Sequence, residues 1–408
     1  MNRIVLIGNG FDLAHGLNTS YKNFIDWYWK DWGERLLHGQ NKTEADGLCS
    51  FKLKESVNLA NWAYVWGFHY QRKNPFAPWD LNDVINIAKE DKELCDYRIS
   101  PFLQQICKSI ETKNWVDIEN EYYYLLKKYA IEESAKDKLH ELNLQLQYLQ
   151  SRLTEYLMKC QLGASVIRGI WEKIYSPIKI SDISIAGQTN THEHIQKWWL
   201  IQDENVLKEK ANRYNDETLI EGVNTYKYNL EHNIYNMEYP RLFMLPDIIM
   251  LLNFNYTNTA DMYSNNMVSF VNHIHGVLEK PESMIFGYGD ELDDNFKKLL
   301  DSNENECLRN VKSIKYQESD NYRNVLAFIE SASFQVCIMG HSCGNSDRTL
   351  LNTLFEHKNC ISIKPYYYIK ENGTDNYLDI IQNISRNFTD MKLMRDRVVN
   401  KTYCEPLT

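Results

Sequence analysis

Four short stretches of the chain carry residue types that could do chemistry together. Asn272-His273-Ile274-His275-Gly276 places two imidazoles two residues apart. An unperturbed imidazole titrates near neutral pH, so His275, before a glycine at a strand end, suits a general base. On a strand His273 and His275 would share a face, but no carboxylate cluster stands nearby to complete a metal site. A lone histidine is more often structural than catalytic, and that reading stays open. In Asn253-Phe254-Asn255-Tyr256-Thr257-Asn258-Thr259, Asn255 offers donors and an acceptor on a short side chain, suited to orienting a water or a ribose hydroxyl. Capping the next helix is its plainer role. Gly340-His341-Ser342-Cys343-Gly344-Asn345-Ser346-Asp347 matches the G-x-S-x-G nucleophile elbow. A hydrolase triad then needs an acid and a histidine later in the chain, and only His357 follows. It falls within or just beyond the helix the elbow would start, too near to fold back over Ser342. Chain order therefore excludes the triad. The fourth stretch is Gly8-Asn9-Gly10, whose glycines would let backbone N–H groups approach a ligand.

These stretches need elements to position them. Ile4 to Ile7, four branched aliphatics ahead of Gly8, predict a strand buried on both faces that opens a nucleotide-binding α/β domain. The third glycine of the dinucleotide fingerprint is replaced by Leu13, and Asp12 puts a negative charge where phosphates sit. An ordinary strand and turn fits these residues as well. Further short strands are expected at Ile248–Phe254, Phe270–Ile274, Met284–Phe286, Gln335–Met339 and Cys360–Ile369, spaced as parallel crossovers require. Thr19 or Ser20 should cap a helix reaching about Trp32, with Phe24, Tyr28 and Trp32 as its core stripe. From Pro101 to Tyr235 the pattern is helical, with Leu139, Leu142, Leu146, Leu149, Leu153 and Leu157 forming one apolar seam. Asp117 and Glu119 read as acids in a helix's first turn. His192 and His194, at i and i+2, share no helical face and argue against a metal site. Trp62, Tyr64, Trp66, Phe68 and Tyr70 alternate like a strand that Pro75 and Pro78 end. The expected architecture is an α/β domain from residues 1–100 and 241–408, with a large helical insertion over 101–240 that covers the site.

The chain's 408 residues suffice for such a domain plus an insertion. A net charge of −10 argues against a nucleic-acid surface, which needs a basic excess. No apolar run reaches a membrane-spanning length, and the first residues lack a signal-peptide pattern. Nine scattered cysteines without a C-x-x-C pair point to free thiols in a reducing cytoplasm.

Several motifs in order then resemble one family. Gly8-Asn9-Gly10-Phe11-Asp12-Leu13-Ala14-His15-Gly16 with Thr19-Ser20-Tyr21 looks like the signature of the bacteriophage abortive infection AbiH family. So do Phe254-Asn255-Tyr256-Thr257, Ile274-His275-Gly276, Ile285-Phe286-Gly287-Tyr288-Gly289-Asp290, and Gly340-His341-Ser342 through Ser346-Asp347. More distantly the order resembles sirtuin-like NAD-binding proteins, which implies a Rossmann-like, mostly parallel sheet. That resemblance implies NAD or a related nucleotide as substrate or ligand, no metal, and cleavage at the N-glycosidic bond. Asn255 would orient water or ribose hydroxyls and His275 would be the base. Gly8, Asn9 and Gly10 would meet the pyrophosphate, Ser342 and Asp347 the adenosine side, and Gly276 and Gly340 would complete the binding loops. Asp12 and Thr257 depart from the sirtuin-like pattern. They keep open a second reading, a nucleotide-binding sensor that acts through a partner without turnover. A phage-derived trigger or a homo-oligomer is the further partner to expect.

Overall fold

A computed structural model describes residues 1–38, 43–53, 95–113, 115–132, 135–234 and 238–408. The aromatic run Trp62–Tyr70, with Pro75 and Pro78, lies outside the described residues. Among the described residues the strands are β1 (Asn2–Ile7), β2 (Thr43–Ala45), β3 (Cys49–Leu53), β4 (Cys95–Ile99), β5 (Ile249–Asn253), β6 (Ser269–His273), β7 (Phe334–Met339) and β8 (Cys360–Tyr366). Helices among them include α1 (Asn9–Ala14), α2 (Tyr21–His38), α3 (Pro101–Lys113), α4 (Ile118–Ala130) and α5 (Ala135–Cys160).

Five strands make one parallel sheet in the order β6-β5-β1-β7-β8. The apolar run Ile4–Ile7 occupies its centre because a middle strand buries both faces. Ile4 and Leu6 pack with Met250, Leu252, Val336 and Ile338 under the helices Asn321–Ser331, Arg348–Phe355 and Tyr377–Arg386. Val5 and Ile7 pack on the other face with Leu251, Cys337, Phe11, Ile170 and Ile174. Taken in chain order the five strands run 3-2-1-4-5, so connections leave β1 and β7 in opposite directions and open a crevice between them.

One expectation fails here. Met284–Phe286 is not a strand; Ile285 is held by single bonds, its N–H to the His275 carbonyl (2.9 Å) and its carbonyl from the Tyr256 hydroxyl (2.9 Å), with no neighbouring ladder. A small antiparallel sheet, β2-β3-β4, was not anticipated; Ser50 pairs with Arg98 across it. Its strands are short and turn few apolar residues inward, Phe51 of β3 against Trp32 and Ile99 of β4 among them.

The helical stretch divides into two parts with different neighbours. Ser20 caps α2 by accepting the Asn23 N–H (3.1 Å), and Phe24, Tyr28 and Trp32 are fully buried. They pack with the seam Leu139 to Leu157 of α5, with α3 and α4, and with Tyr256, Leu278 and Phe286 from the sheet's loops. The helices between Ile185 and Glu231 instead share a core with Met1, Leu242 and Ile361, near the start of β1. Asp247 there takes the N-terminal ammonium and Lys210 (2.7 Å). The first part reaches the loops that follow the strands, and the second part packs away from them. His192 and His194 lie in this second part, His192 against the Tyr239 hydroxyl and His194 beside Trp198 and Trp199. No helix among the described residues is long and apolar enough to cross a membrane.

Candidate functional site

The loops after β1, β5, β6 and β7 all leave the carboxyl edge of the parallel sheet, where open α/β sheets bind ligands. They enclose a cavity of about 850 Å³, roofed by Trp115, Val116, Asp117 and Glu119 beside α4 and by Leu153 and Leu157 of α5. Gly8, Asn9, Gly10, Asp12, Asn255, Thr257, His275, Gly340, Ser342 and Asp347 all line it. Gly276 does not line it; it forms the turn behind His275 with φ +81°, and a Cβ there would lie 2.2 Å from the Ser283 carbonyl oxygen.

The glycine loop uses its freedom differently from what its sequence suggests. Gly10 N–H donates to the Gly340 carbonyl (2.8 Å), and Gly8 N–H points to Met339 O (3.4 Å). A Cβ on Gly8 would meet His341 Cα at 2.6 Å, and one on Gly340 (φ +78°) would meet Phe11 N at 2.0 Å. The small residues therefore let the β1 and β7 loops touch, and the Gly10 amide is spent inside the protein. Asn255 reinforces the same junction: its amide donates to the Gly8 carbonyl (3.0 Å), so it ties loops together rather than capping a helix. Asn253, which the sequence reading passed over, builds that loop by bonding Thr257 O (3.0 Å) and the Asn255 N–H (3.1 Å). Asn9 accepts from the Thr19 hydroxyl (2.7 Å).

Beneath the cavity lies a buried ionic network. Lys312 Nζ sits 2.9 Å from Glu119 Oε2 and 2.7 Å from Asp347 Oδ1. His275 Nε2 lies 3.3 Å from the same Asp347 oxygen and 3.2 Å from the Tyr316 hydroxyl. His341 Nε2 faces Asp347 Oδ2 at 3.5 Å, while its Nδ1 accepts the Cys343 N–H (3.0 Å), which puts the imidazole proton on Nε2. Cys343 adopts φ +54° to make that bond. Asp347, expected on the adenosine side, is thus committed to one lysine and two histidines. Glu119, read from sequence as a first-turn acid, is a buried member of the network, its Oε1 accepting Gly287 N–H (3.1 Å). Asp117 does cap α4, accepting Asn120 N–H (3.0 Å). The two histidines of the β6 loop part company: His273 ends the strand and pairs with Asp261 (3.1 Å) outside the network. Among the described residues no His, Cys, Asp and Glu group is arranged to hold a metal.

One cation cannot fully offset two buried carboxylates, and the protonation states divide accordingly. Burial alone would raise Asp347, but Lys312 and His275 outweigh it and hold the carboxyl well below its usual range. Burial raises Glu119 to about 8, against the opposing pull of Lys312. Burial and then Lys312 lower His275, against Asp347, so its imidazole is neutral at pH 7. Burial would lower Lys312, yet Asp347 and Glu119 keep it charged. Burial also raises Asp12, whose Oδ2 takes the Thr257 hydroxyl (2.7 Å). Ser342 lines the cavity without a histidine base; His357 lies past the helix Arg348–Phe355 and contacts Glu330 (3.2 Å).

A neutral imidazole, a fixed carboxylate and a protonated carboxyl line one crevice at the carboxyl edge of this α/β sheet, an arrangement that can hold a small polar ligand and exchange protons with it. The chain belongs to the bacteriophage abortive infection AbiH family, whose model matches residues 4–368, and membership implies phage abortive-infection defence. No curated protein and no solved structure matches it significantly.

Proposed function

We propose that the sheet is Rossmann-like and that its cavity binds a nucleotide, NAD or a relative, and hydrolyses the N-glycosidic bond as the act of defence. The observation that carries this reading is the convergence of Asn255, His275 and the His275–Asp347 pair on one cavity at the crevice between β1 and β7. A volume near 850 Å³ accommodates a nucleotide. Its phosphates would meet Asn9 and Ser342 on the cavity wall, because the Gly10 amide is already bonded. Glycosidic cleavage passes through a cationic sugar, which the fixed carboxylate of Asp347 at the cavity wall favours. Neutral His275 would accept the proton of the attacking water, held in the basic state by burial and oriented by Asp347. Asn255 would position the water or the ribose hydroxyls.

Nicotinamide or free-base release from NAD and other nucleotides by the purified protein tests this, with infected-cell extract as a second condition. Asn255→Ala and His275→Ala should each lower release about 100-fold with folding retained. Tight nucleotide binding without any base release in either condition would overturn turnover. It would support the second reading, a nucleotide sensor, which the buried Asp12–Thr257 pair in the glycine loop favours because the sirtuin-like pattern lacks it.

A further inference from the structure

Glu119 is a network member for which the hydrolysis scheme has no use. It reaches the cavity from the helical layer, while His275 reaches it from the sheet, and the two are joined through one chain of contacts. From Glu119 Oε2 the chain runs 2.9 Å to Lys312 Nζ, 2.7 Å on to Asp347 Oδ1, and 3.3 Å to His275 Nε2. The Gly287 amide and Lys312 each take one lone pair of the carboxyl, leaving a position on it for a proton. Resting on the glycosidic reading, we propose that Glu119 is the acid that protonates the leaving base, and that the substrate is a purine nucleoside or nucleotide cleaved at N9.

The chemistry of leaving groups links the two halves of that statement. A nicotinamide ring is cationic while attached to ribose and departs as a neutral molecule, taking the bond's electron pair and needing no proton. A neutral purine departs as an anion unless N7 is protonated as the C1′–N9 bond breaks. A site for the first kind of substrate gains nothing from a buried acid. A site for the second kind requires one. The C1′–N9 pair goes to the base, and the Glu119 proton goes to N7. Water oxygen bonds to C1′, and the water's proton goes to His275. The free base and the ribose hydroxyl leave, and one proton passing from His275 through Asp347 and Lys312 to Glu119 restores the starting state. Burial holds Glu119 in its protonated form up to about pH 8, as this role requires.

The test uses the full chain with AMP, NAD and 7-methylguanosine, the bases being separated and quantified, with and without infected-cell extract. Glu119→Gln keeps an acceptor for the Gly287 amide and leaves Lys312 paired with Asp347, so the fold has what it needs. We expect purine release from AMP that falls about 100-fold or more in Glu119→Gln. Release from 7-methylguanosine, whose base is already cationic and needs no proton, should stay within a few-fold of wild type, a selectivity that mere structural damage would not give. The purine activity should decline above about pH 8 as Glu119 ionises, and the 7-methylguanosine activity should not. Nicotinamide release from NAD, unchanged in Glu119→Gln and without purine release, would overturn the assignment of Glu119 while leaving glycosidic hydrolysis standing. No base from any substrate in either condition would overturn hydrolysis itself and this inference with it.

Discussion

Lys312→Met is the substitution that most directly tests the network. Methionine keeps the length of the stem and removes the charge, in a side chain only 1% exposed. Asp347 and Glu119, 2.7 and 2.9 Å from the lost ammonium, would then share a buried site with no cation. Removing one partner of a buried ion pair costs about 3–5 kcal/mol, because the remaining charge is uncompensated. The pH dependence follows from Asp347. Its depressed pKa contributes stability that is present above the ordinary carboxylate range and is lost as pH falls through the lower, folded value. The variant lacks that contribution, so its deficit should stand at the full about 3–5 kcal/mol at pH 6 and 8 and shrink only as pH falls below the ordinary carboxylate value of 3.8. Urea unfolding followed by far-UV circular dichroism at pH 2.5, 6 and 8, wild type beside variant, measures the difference. Adding Asp347→Asn should recover part of it by removing the stranded charge. A deficit below about 1 kcal/mol at pH 8, or one that does not shrink as pH falls below 3.8, would refute the network as the source of stability.

Two further outcomes follow from the same geometry. Gly340→Ala would force a Cβ to 2.0 Å from Phe11 N at φ +78°, so we expect a loss of about 2–4 kcal/mol, read as a lower melting temperature and reduced soluble yield. The acid limb of kcat/KM should lie below the ordinary histidine value of 6.5, since burial and Lys312 lower His275, and Lys312→Met should move that limb upward.

Much of the scaffold was legible because it rests on local pattern. Ile4–Ile7 reads as a strand because four branched aliphatics cannot share one face with water, and the Leu139–Leu157 seam reads as a helix because its spacing matches 3.6 residues per turn. The loops after β5 and β7 were legible as polar turns that end apolar runs. The network was not. Lys312 stands in a polar stretch with nothing to mark it, and Glu119 looks like any acid in a helix's first turn. Their partnership spans 193 residues and exists only once α4 lies over the sheet. Asp347 carried a motif but not its role, because sequence shows no lysine beside it. The glycine loop misled in the opposite way: its permissive backbone was read as room for a ligand, whereas Gly340 fills that room. Met284–Phe286 shows the same limit, an apolar triplet satisfied by side-chain packing and isolated bonds rather than a ladder.

The place of β1 in the sheet also bears on how the chain is made. Arg3 pairs with Ile249 on one side and with Gln335, 332 residues later, on the other. At about 5–20 residues per second on the ribosome, this apolar strand emerges roughly 15–65 s before both neighbours exist. The α2, α3, α4 and α5 layer, whose contacts are nearer in sequence, can condense in the meantime, but the central strand stays an exposed edge in need of shielding. Until Asp347 has been synthesised, no nascent chain holds the full set of residues around the crevice. A chain that has not yet reached Asp347 therefore cannot close the crevice, however long its first strand has waited.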